Sequence, residues 1–132
     1  MNDAVRLEGI REALERLAEL ADDHVLLVEG INDRRSLLAL GIGGDFFHIQ
    51  SGGGPARAAE YVASRGGKAV VLTDWDRKGG AIAKGLRAIL GPDNADVDFS
   101  VRADLSRLCR HYIKDVESLY ALVSRLEGGI RP

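Results

Sequence analysis

Residues 69–80, AVVLTDWDRKGG, pass from an apolar run into two aspartates around Trp75, then into two cations and two glycines. The run at 69–73 is too short for a helix and is rich in β-branched residues, which predicts a strand buried on both faces. Asp74 and Asp76 follow this strand directly. Side chains two residues apart in an extended segment project the same way, so the two carboxylates are predicted to lie side by side.

Further strands and helices alternate with this one along the chain. Short apolar runs predict three more strands, at 24–28 (HVLLV), 46–50 (FFHIQ) and 97–101 (VDFSV). Helical spacing or capping signals predict helices at 3–21, 34–40, 55–65, 80–90 and 104–126, the last with a break near Lys114. Such alternation predicts an α/β fold: three layers, Rossmann-like, with a central four-stranded, mainly parallel sheet flanked by helices.

The predicted domain organisation is simple. Residues 1–23 are expected to form an amphipathic helix packed on the domain, residues 24–127 the domain itself, and residues 128–132 a flexible tail.

The predicted strand ends carry the polar residues. Glu29 follows the first strand, a glycine run at 51–54 the second, and Asp74 and Asp76 the third. Ligands of parallel sheets bind at this edge. Crowded carboxylates repel each other, and a hard divalent cation such as magnesium relieves the repulsion. A solvated acidic turn is the alternative for the aspartates, and a glutamate favoured by a helix dipole is the alternative for Glu29.

Phosphate-binding residues are expected beside this acidic site. The glycines Gly52 and Gly53 precede a helix, and their amides can converge on an anion, although a plain tight turn explains them equally well. Arg77 and Lys78 follow the aspartates and can contact phosphate oxygens or pair with the nearby carboxylates. Trp75 is expected to pack rather than to stack on a base, and Asp33 is expected to cap a helix.

Bulk properties limit the possible functions. The formal net charge is −2 and the pI about 5.9, so polyanion binding must depend on a local basic patch, a metal ion or a partner protein. The single cysteine allows neither an intramolecular disulfide nor a cysteine zinc site. The acidic start does not resemble a signal peptide, and no apolar run spans a bilayer, so a cytoplasmic location without membrane contact is expected. No feature indicates an oligomeric state.

Two motifs resemble the Toprim family. Glu29, Gly30 and Asp33 match its E-G-x-x-D pattern, and Asp74, Asp76 and Gly79 match its D-x-D-x-x-G pattern, across roughly residues 25–101. The resemblance implies that Glu29 acts as general acid or base. It also implies that Asp74 and Asp76, with Glu29, bind Mg²⁺, for which Mn²⁺ can substitute. The later pair Lys114-Asp115 is similar to a lysine–aspartate near the end of such domains.

The resemblance is greatest to small stand-alone Toprim proteins of the ribonuclease M5 and primase-type group. Topoisomerases and primases need accessory domains for which this chain has no room. The resemblance therefore implies a magnesium-dependent nuclease acting on structured RNA or DNA, alone or through a partner protein. A non-catalytic nucleic-acid or ribonucleoprotein binding module that keeps the acidic metal site is the alternative. An aspartyl-phosphate phosphatase or receiver domain is disfavoured because its key aspartates normally follow the first strand.

Overall fold

The computed structural model describes residues 1–130 and has an α/β fold. Its four strands are β1 (Val25–Val28), β2 (Asp45–His48), β3 (Ala69–Val71) and β4 (Val97–Asp98). They form one sheet in the order β2-β1-β3-β4, and every neighbouring pair is parallel. The predicted fold class, a parallel four-stranded sheet between helical layers, is confirmed.

Six helices within residues 1–130 flank the sheet. They are α1 (Asp3–Leu20), α2 (Ile31–Ala39), α3 (Pro55–Ser64), α4 (Arg77–Leu90), α5 (Ser100–Cys109) and α6 (Leu119–Ile130). Helices α2, α3 and α4 each connect two successive strands, because parallel strands need a crossover connection. All strands therefore end at the same edge of the sheet.

Two apolar clusters lie on opposite faces of the sheet, because successive strand residues point to opposite sides. Leu26 and Val28 of β1 belong to the cluster that includes the buried residues of α1, α5 and α6. Val25 and Leu27 belong to the cluster that includes the buried residues of α3 and α4. The amphipathic helix predicted near the amino terminus is thus α1, and it contributes to the first cluster.

Several element bounds differ from the predictions. The strand predicted at 97–101 ends at Asp98, because the Asp98 carboxylate accepts hydrogen bonds from Ser100 Oγ and the Val101 amide at the start of α5. The single helix predicted at 104–126 is two helices, α5 and α6, separated by residues 110–118. The predicted break near Lys114 lies in this connection.

The segment at 128–132 that was expected to be a flexible tail overlaps a helix. Helix α6 includes residues 128–130, which were expected to belong to a flexible tail, and residues 131 and 132 lie outside the described residues. The boundary expected at residue 23 stays a prediction. Among the described helices, none combines the length and the apolar composition that crossing a bilayer requires.

Candidate functional site

Glu29 and Asp74 meet at the carboxyl edge of the sheet. They follow β1 and β3, which are hydrogen-bonded neighbours with Leu27 opposite Val71. Glu29 is only 4% exposed, and its Oε2 accepts a hydrogen bond of 2.7 Å from the Asp74 amide. A carboxylate this deeply buried needs such a partner, since an unpaired buried charge is costly. The parallel register therefore brings together Glu29 and Asp74, the first acidic residue of each sequence motif.

The two residues border an acidic cavity of about 220 Å³. Four acidic residues contribute to its lining, namely Glu29, Asp33, Asp74 and Glu117. Gln50 is among the other residues that line it. They come from the ends of β1 and β3, the first turn of α2, and the connection before α6. We name this space the acidic cavity.

Asp33 belongs to the cavity and also caps α2. Its Oδ2 accepts a hydrogen bond of 3.0 Å from the amide of Gly30, the N-cap residue, so Asp33 has a capping role from the third position of α2, which begins at Ile31 and not at residue 34. Its side chain is 6% exposed. Burial raises the pKa of the Asp33 carboxyl, and the nearby Glu29 carboxylate acts in the same direction, while the Gly30 amide opposes them.

Asp74 is the residue that the cavity perturbs most. Burial, as the largest cause, raises the pKa of its carboxyl to about 8. The Val116 amide, which donates to Asp74 Oδ1 at 3.0 Å, lowers this pKa, while the charges of Asp33 and Glu29 raise it further. A hydrogen bond between the Asp74 and Glu29 side chains also raises it. Desolvation of the Asp74 carboxyl therefore contributes more to its raised pKa than repulsion by the neighbouring carboxylates does.

Asp76 has a different position from the one predicted. Its Oδ1 accepts a hydrogen bond of 2.7 Å from the Gly79 amide, so Asp76 is the N-cap of α4. It is not among the residues that line the acidic cavity. Strand β3 ends at Val71, and Asp76 is the extended residue directly before α4 begins at Arg77, so its carboxylate is engaged by the first turn of that helix. The structure thus brings Asp74 to Glu29 and places Asp76 at a helix cap.

Gly79 lies against the backbone of Asp74. A Cβ at Gly79 would stand 1.9 Å from the Asp74 carbonyl oxygen, a distance that no side chain can adopt. The Thr73 hydroxyl donates to the Gly79 carbonyl at 2.8 Å and closes the same turn. The final glycine of the D-x-D-x-x-G pattern is therefore required by close packing of α4 on the end of β3.

The four predicted phosphate-binding residues are not among the residues that line the acidic cavity. Arg77 and Lys78 are exposed in the first turn of α4. The Gly52 amide donates to the His48 carbonyl at 2.8 Å, which commits that amide to a turn. Gly53 has a positive φ of 103° and packs against Arg57. The residue just before the glycine run, Gln50, lines the cavity.

The connection between α5 and α6 supports the end of β3. The Trp75 indole donates to the Ile113 carbonyl at 2.7 Å, and the Trp75 amide donates to the Lys114 carbonyl at 3.0 Å. Trp75 also packs against the first apolar cluster, so the packing role expected for it is confirmed. The neighbouring Asp115 accepts a hydrogen bond from the Ser118 amide.

Sequence reasoning missed Arg102 and Glu117. The Arg102 guanidinium donates to the Thr73 and Asp74 carbonyls at 2.9 and 2.7 Å. Burial lowers the pKa of Arg102, while the carboxylates of three residues raise it, namely Glu29, Asp74 and Asp76. Arg102 directly follows the strand predicted at 97–101, where no motif marks it. Only the fold brings these residues to the site.

The donor set suits magnesium better than a metal that needs a complete protein cage. Within residues 1–130, no group of three or more His, Cys, Asp or Glu side chains is arranged as a metal site. Magnesium typically takes one or two carboxylates and keeps several waters. Glu29 and Asp74, whose side chains border one cavity, supply two carboxylates and fit that requirement.

Comparison with known proteins identifies archaeal relatives over most of the chain. The chain is 37% identical over 124 residues to a UPF0292 protein of Methanosarcina acetivorans, covering 93% of this chain and 85% of that protein. It is 34% identical over 115 residues to a UPF0292 protein of Thermococcus gammatolerans, covering 87% and 84% respectively. No protein-family model matches the chain.

A solved structure supports the fold. A protein from Aquifex aeolicus superposes with a TM-score of 0.67 over 82% of this chain and 95% of that one, at 24% sequence identity. At that level of identity the likeness concerns the fold alone.

Proposed function

We propose that this chain, which belongs to the UPF0292 family, carries out magnesium-dependent phosphodiester chemistry on nucleic acid in the manner of Toprim proteins. One observation carries the proposal. Glu29 and Asp74, from the two motifs that resemble the Toprim patterns, line one acidic cavity and are joined by a 2.7 Å hydrogen bond. A structured RNA or DNA is the proposed substrate, reached alone or with a partner protein.

In this proposal, Asp74 with Glu29 would hold Mg²⁺, for which Mn²⁺ can substitute, and Asp76, the N-cap of α4, is the further candidate ligand. The bound ion would offset the charge of the scissile phosphate. Asp74 is the better-placed primary ligand, since its carboxyl lies between the Val116 amide and the Glu29 side chain. Arg102 orients that residue from the other side through the Asp74 carbonyl.

The proposed reaction is hydrolysis with Glu29 managing a proton. The oxygen of a water molecule attacks phosphorus, the bond from phosphorus to the leaving sugar oxygen breaks, and Glu29 accepts the proton that the water loses. The leaving oxygen takes its proton from solvent. General acid–base catalysis of this kind contributes about 10²- to 10⁴-fold to a rate. Glu29 is suited to this role because burial and the Asp74 amide hold its carboxylate in one orientation.

A cleavage screen tests the proposal. Labelled RNA and DNA hairpins are incubated with the wild type, Glu29→Gln and Asp74→Asn, with magnesium, manganese or a chelator. We expect metal-dependent cleavage by the wild type, reduced about 100-fold or more in either variant. Both substitutions keep an oxygen that can accept the Asp74 or Val116 amide, so the fold is expected to persist.

Asp22→Asn is the matched control. Asp22 is exposed and precedes β1, so it lies at the opposite edge of the sheet from Glu29. Asp22→Asn removes one negative charge, as Glu29→Gln and Asp74→Asn do. This control should cleave like the wild type. If no hairpin is cleaved with either metal, or if all three variants cleave alike, the catalytic proposal is wrong.

A non-catalytic nucleic-acid or ribonucleoprotein binding module is the second candidate. It is favoured by the bonds that Glu29 Oε2 and Asp74 Oδ1 already make to backbone amides, which give both carboxylates a structural role. Metal-dependent hairpin binding without cleavage, in the same screen, would support this candidate.

A further inference from the structure

A second cavity, rich in cations, lies between α4 and α5. It has a volume of about 270 Å³, and its lining includes Lys84, Arg87, Arg102 and Phe99 together with three small residues. Arg87 is exposed, while Arg102 is partly buried. No carboxylate is among its lining residues within the described chain. We name this space the cationic cavity.

Two of the three cations of this cavity, Lys84 and Arg87, have no internal counter-charge among the described residues, whereas the carboxylates of Glu29, Asp74 and Asp76 act on Arg102. Across residues 1–130, Lys84, Arg87 and Arg102 form no salt bridge, whereas basic side chains near the sheet's opposite edge do, as with Arg65 to Asp45 and Lys68 to Asp23. Three neighbouring positive charges repel one another unless an anion lies between them. In a chain of net charge −2, such a grouping indicates a site for an external anion.

The geometry of the cavity suits a phosphodiester. The Arg87 guanidinium stacks on the Phe99 ring at 4.0 Å from its centroid, which restricts the arginine's orientation. A guanidinium held in one plane presents paired donors that match phosphate oxygens. Arg77 lies on the same face of α4, seven residues before Lys84, so the cationic face extends about 10 Å towards the start of the helix.

Arg102 joins the two cavities. It lines the cationic cavity, and its Nη2 donates to the carbonyl of Asp74, whose side chain lines the acidic cavity. The end of β3 therefore separates an acidic site from a cationic one. A polyanion with regularly spaced phosphates can occupy both at once, with one phosphate at the acidic cavity and its neighbours on the cations.

We propose that the cationic cavity binds backbone phosphates of a nucleic acid next to the phosphate at the acidic cavity. This inference rests on the proposed function and adds to it the surface along which the strand lies. Lys84 and Arg87 position the strand without reading its sequence, because phosphate contacts carry no base information. The path runs over α4 and α5.

Binding measured without cleavage tests this inference. Fluorescence anisotropy of a phosphorothioate-linked RNA hairpin, and of a DNA hairpin of the same sequence and linkage, is recorded with the otherwise wild-type chain at two salt concentrations with magnesium present. Adding Lys84→Ala and Arg87→Ala should weaken binding of both hairpins about tenfold or more at low salt. It should also reduce the slope of log affinity against log salt by about one for each phosphate that the variant no longer neutralises.

Arg65→Ala with Lys68→Ala is the matched control. It removes the same charge from the opposite edge of the sheet, where both side chains form salt bridges. Equally weakened binding in the two double variants would overturn the inference, as would absence of hairpin binding. If polyglutamate displaces the labelled hairpin as effectively as unlabelled hairpin does at equal charge, the nucleic-acid assignment is wrong. Cleavage is measured separately. If the wild type cleaves while the Lys84→Ala and Arg87→Ala double variant binds hairpins normally, this inference is wrong and the proposed function is unaffected.

Discussion

At the residue scale, Asp74 combines two roles. Its backbone is held by the Glu29 carboxylate and by Arg102, and its side chain accepts the Val116 amide while bordering the acidic cavity. The first set of contacts fixes the position of the residue. The second places its carboxyl where burial makes the charged form costly, which is the physical reason for its raised pKa.

Asp74 should make the stability of the metal-free protein pH-dependent. Its pKa is about 8 in the folded chain and near 3.8 in the unfolded chain, so between these values the folded state retains a proton that the unfolded state has lost. The stabilisation is complete below about pH 4 and is lost as the pH rises towards 8. Asp74→Asn should remove this decline, since an amide does not titrate and still accepts the Val116 amide.

Urea unfolding at pH 5, 6.5 and 8 with a chelator measures this effect. The free energy of unfolding of Asp74→Asn should exceed that of the wild type most at pH 8, while Asp22→Asn should follow the wild type. A decline that is as steep in Asp74→Asn as in the wild type would mean that another group causes it.

At the element scale, α4 is positioned by its first turn. Asp76 caps the helix, and Gly79 allows its backbone to approach the end of β3. Both residues belong to the D-x-D-x-x-G pattern, so part of that pattern is explained by helix–strand packing. The same helix presents Lys84 and Arg87 to the cationic cavity.

Adjacent glycines of α4 should respond oppositely to alanine. Gly79→Ala forces a Cβ into the Asp74 backbone, which must shift, and should lower the free energy of unfolding by about 1–3 kcal/mol or more. A Cβ at Gly80 meets nothing nearer than Arg102 Nη2 at 3.9 Å. Gly80→Ala should therefore raise the free energy of unfolding by up to about 1 kcal/mol, since alanine favours a helix interior.

Urea denaturation of the two variants, side by side, provides the measurement. The glycines are matched in chemistry and differ in sequence by one position, so helix propensity alone predicts the same sign for both. Two stabilised variants would show that the close approach of Gly79 to Asp74 is not present in solution.

At the scale of the whole molecule, α6 stabilises the site from a distance. The connection at 110–118 contacts Trp75 and Asp74, and α6 follows it directly. Leu119 and Leu122 of this helix are buried in the cluster shared with α1 and α5. Residues distant in sequence from both motifs thus determine the surroundings of Asp74.

Leu122→Ala should destabilise the whole fold. Leu122 is 2% exposed, and truncating a buried leucine costs about 2–5 kcal/mol, because apolar burial decreases and a cavity remains. Tyr120→Ala is the control on the same helix, because the Tyr120 side chain is 47% exposed. Thermal and urea unfolding should show a large decrease in stability for Leu122→Ala and a small one for Tyr120→Ala. Similar decreases would indicate that α6 is not packed as described.

The sequence by itself determined the α/β class and the residues that end the strands. Short β-branched runs predict strands from local composition, and parallel pairing then follows from the alternating helices, so Glu29 and Asp74 could be placed at one edge in advance. Asp33 as a helix cap was also predictable, because its partner Gly30 is three residues away. Trp75 was predictable as a packing residue from its large apolar ring, although its partners Ile113 and Lys114 are distant in sequence.

Only the tertiary structure decided which polar residues surround the acidic cavity and which cap a helix. Asp76 caps α4 instead of lining the acidic cavity with Asp74, because its carboxylate accepts the Gly79 amide in the first turn of the helix. Arg102 and Glu117 reach the site through contacts between segments far apart in sequence, and no local pattern marks them. Strand ends follow from local periodicity, whereas the partners of a side chain and the burial that shifts a pKa depend on how whole elements pack.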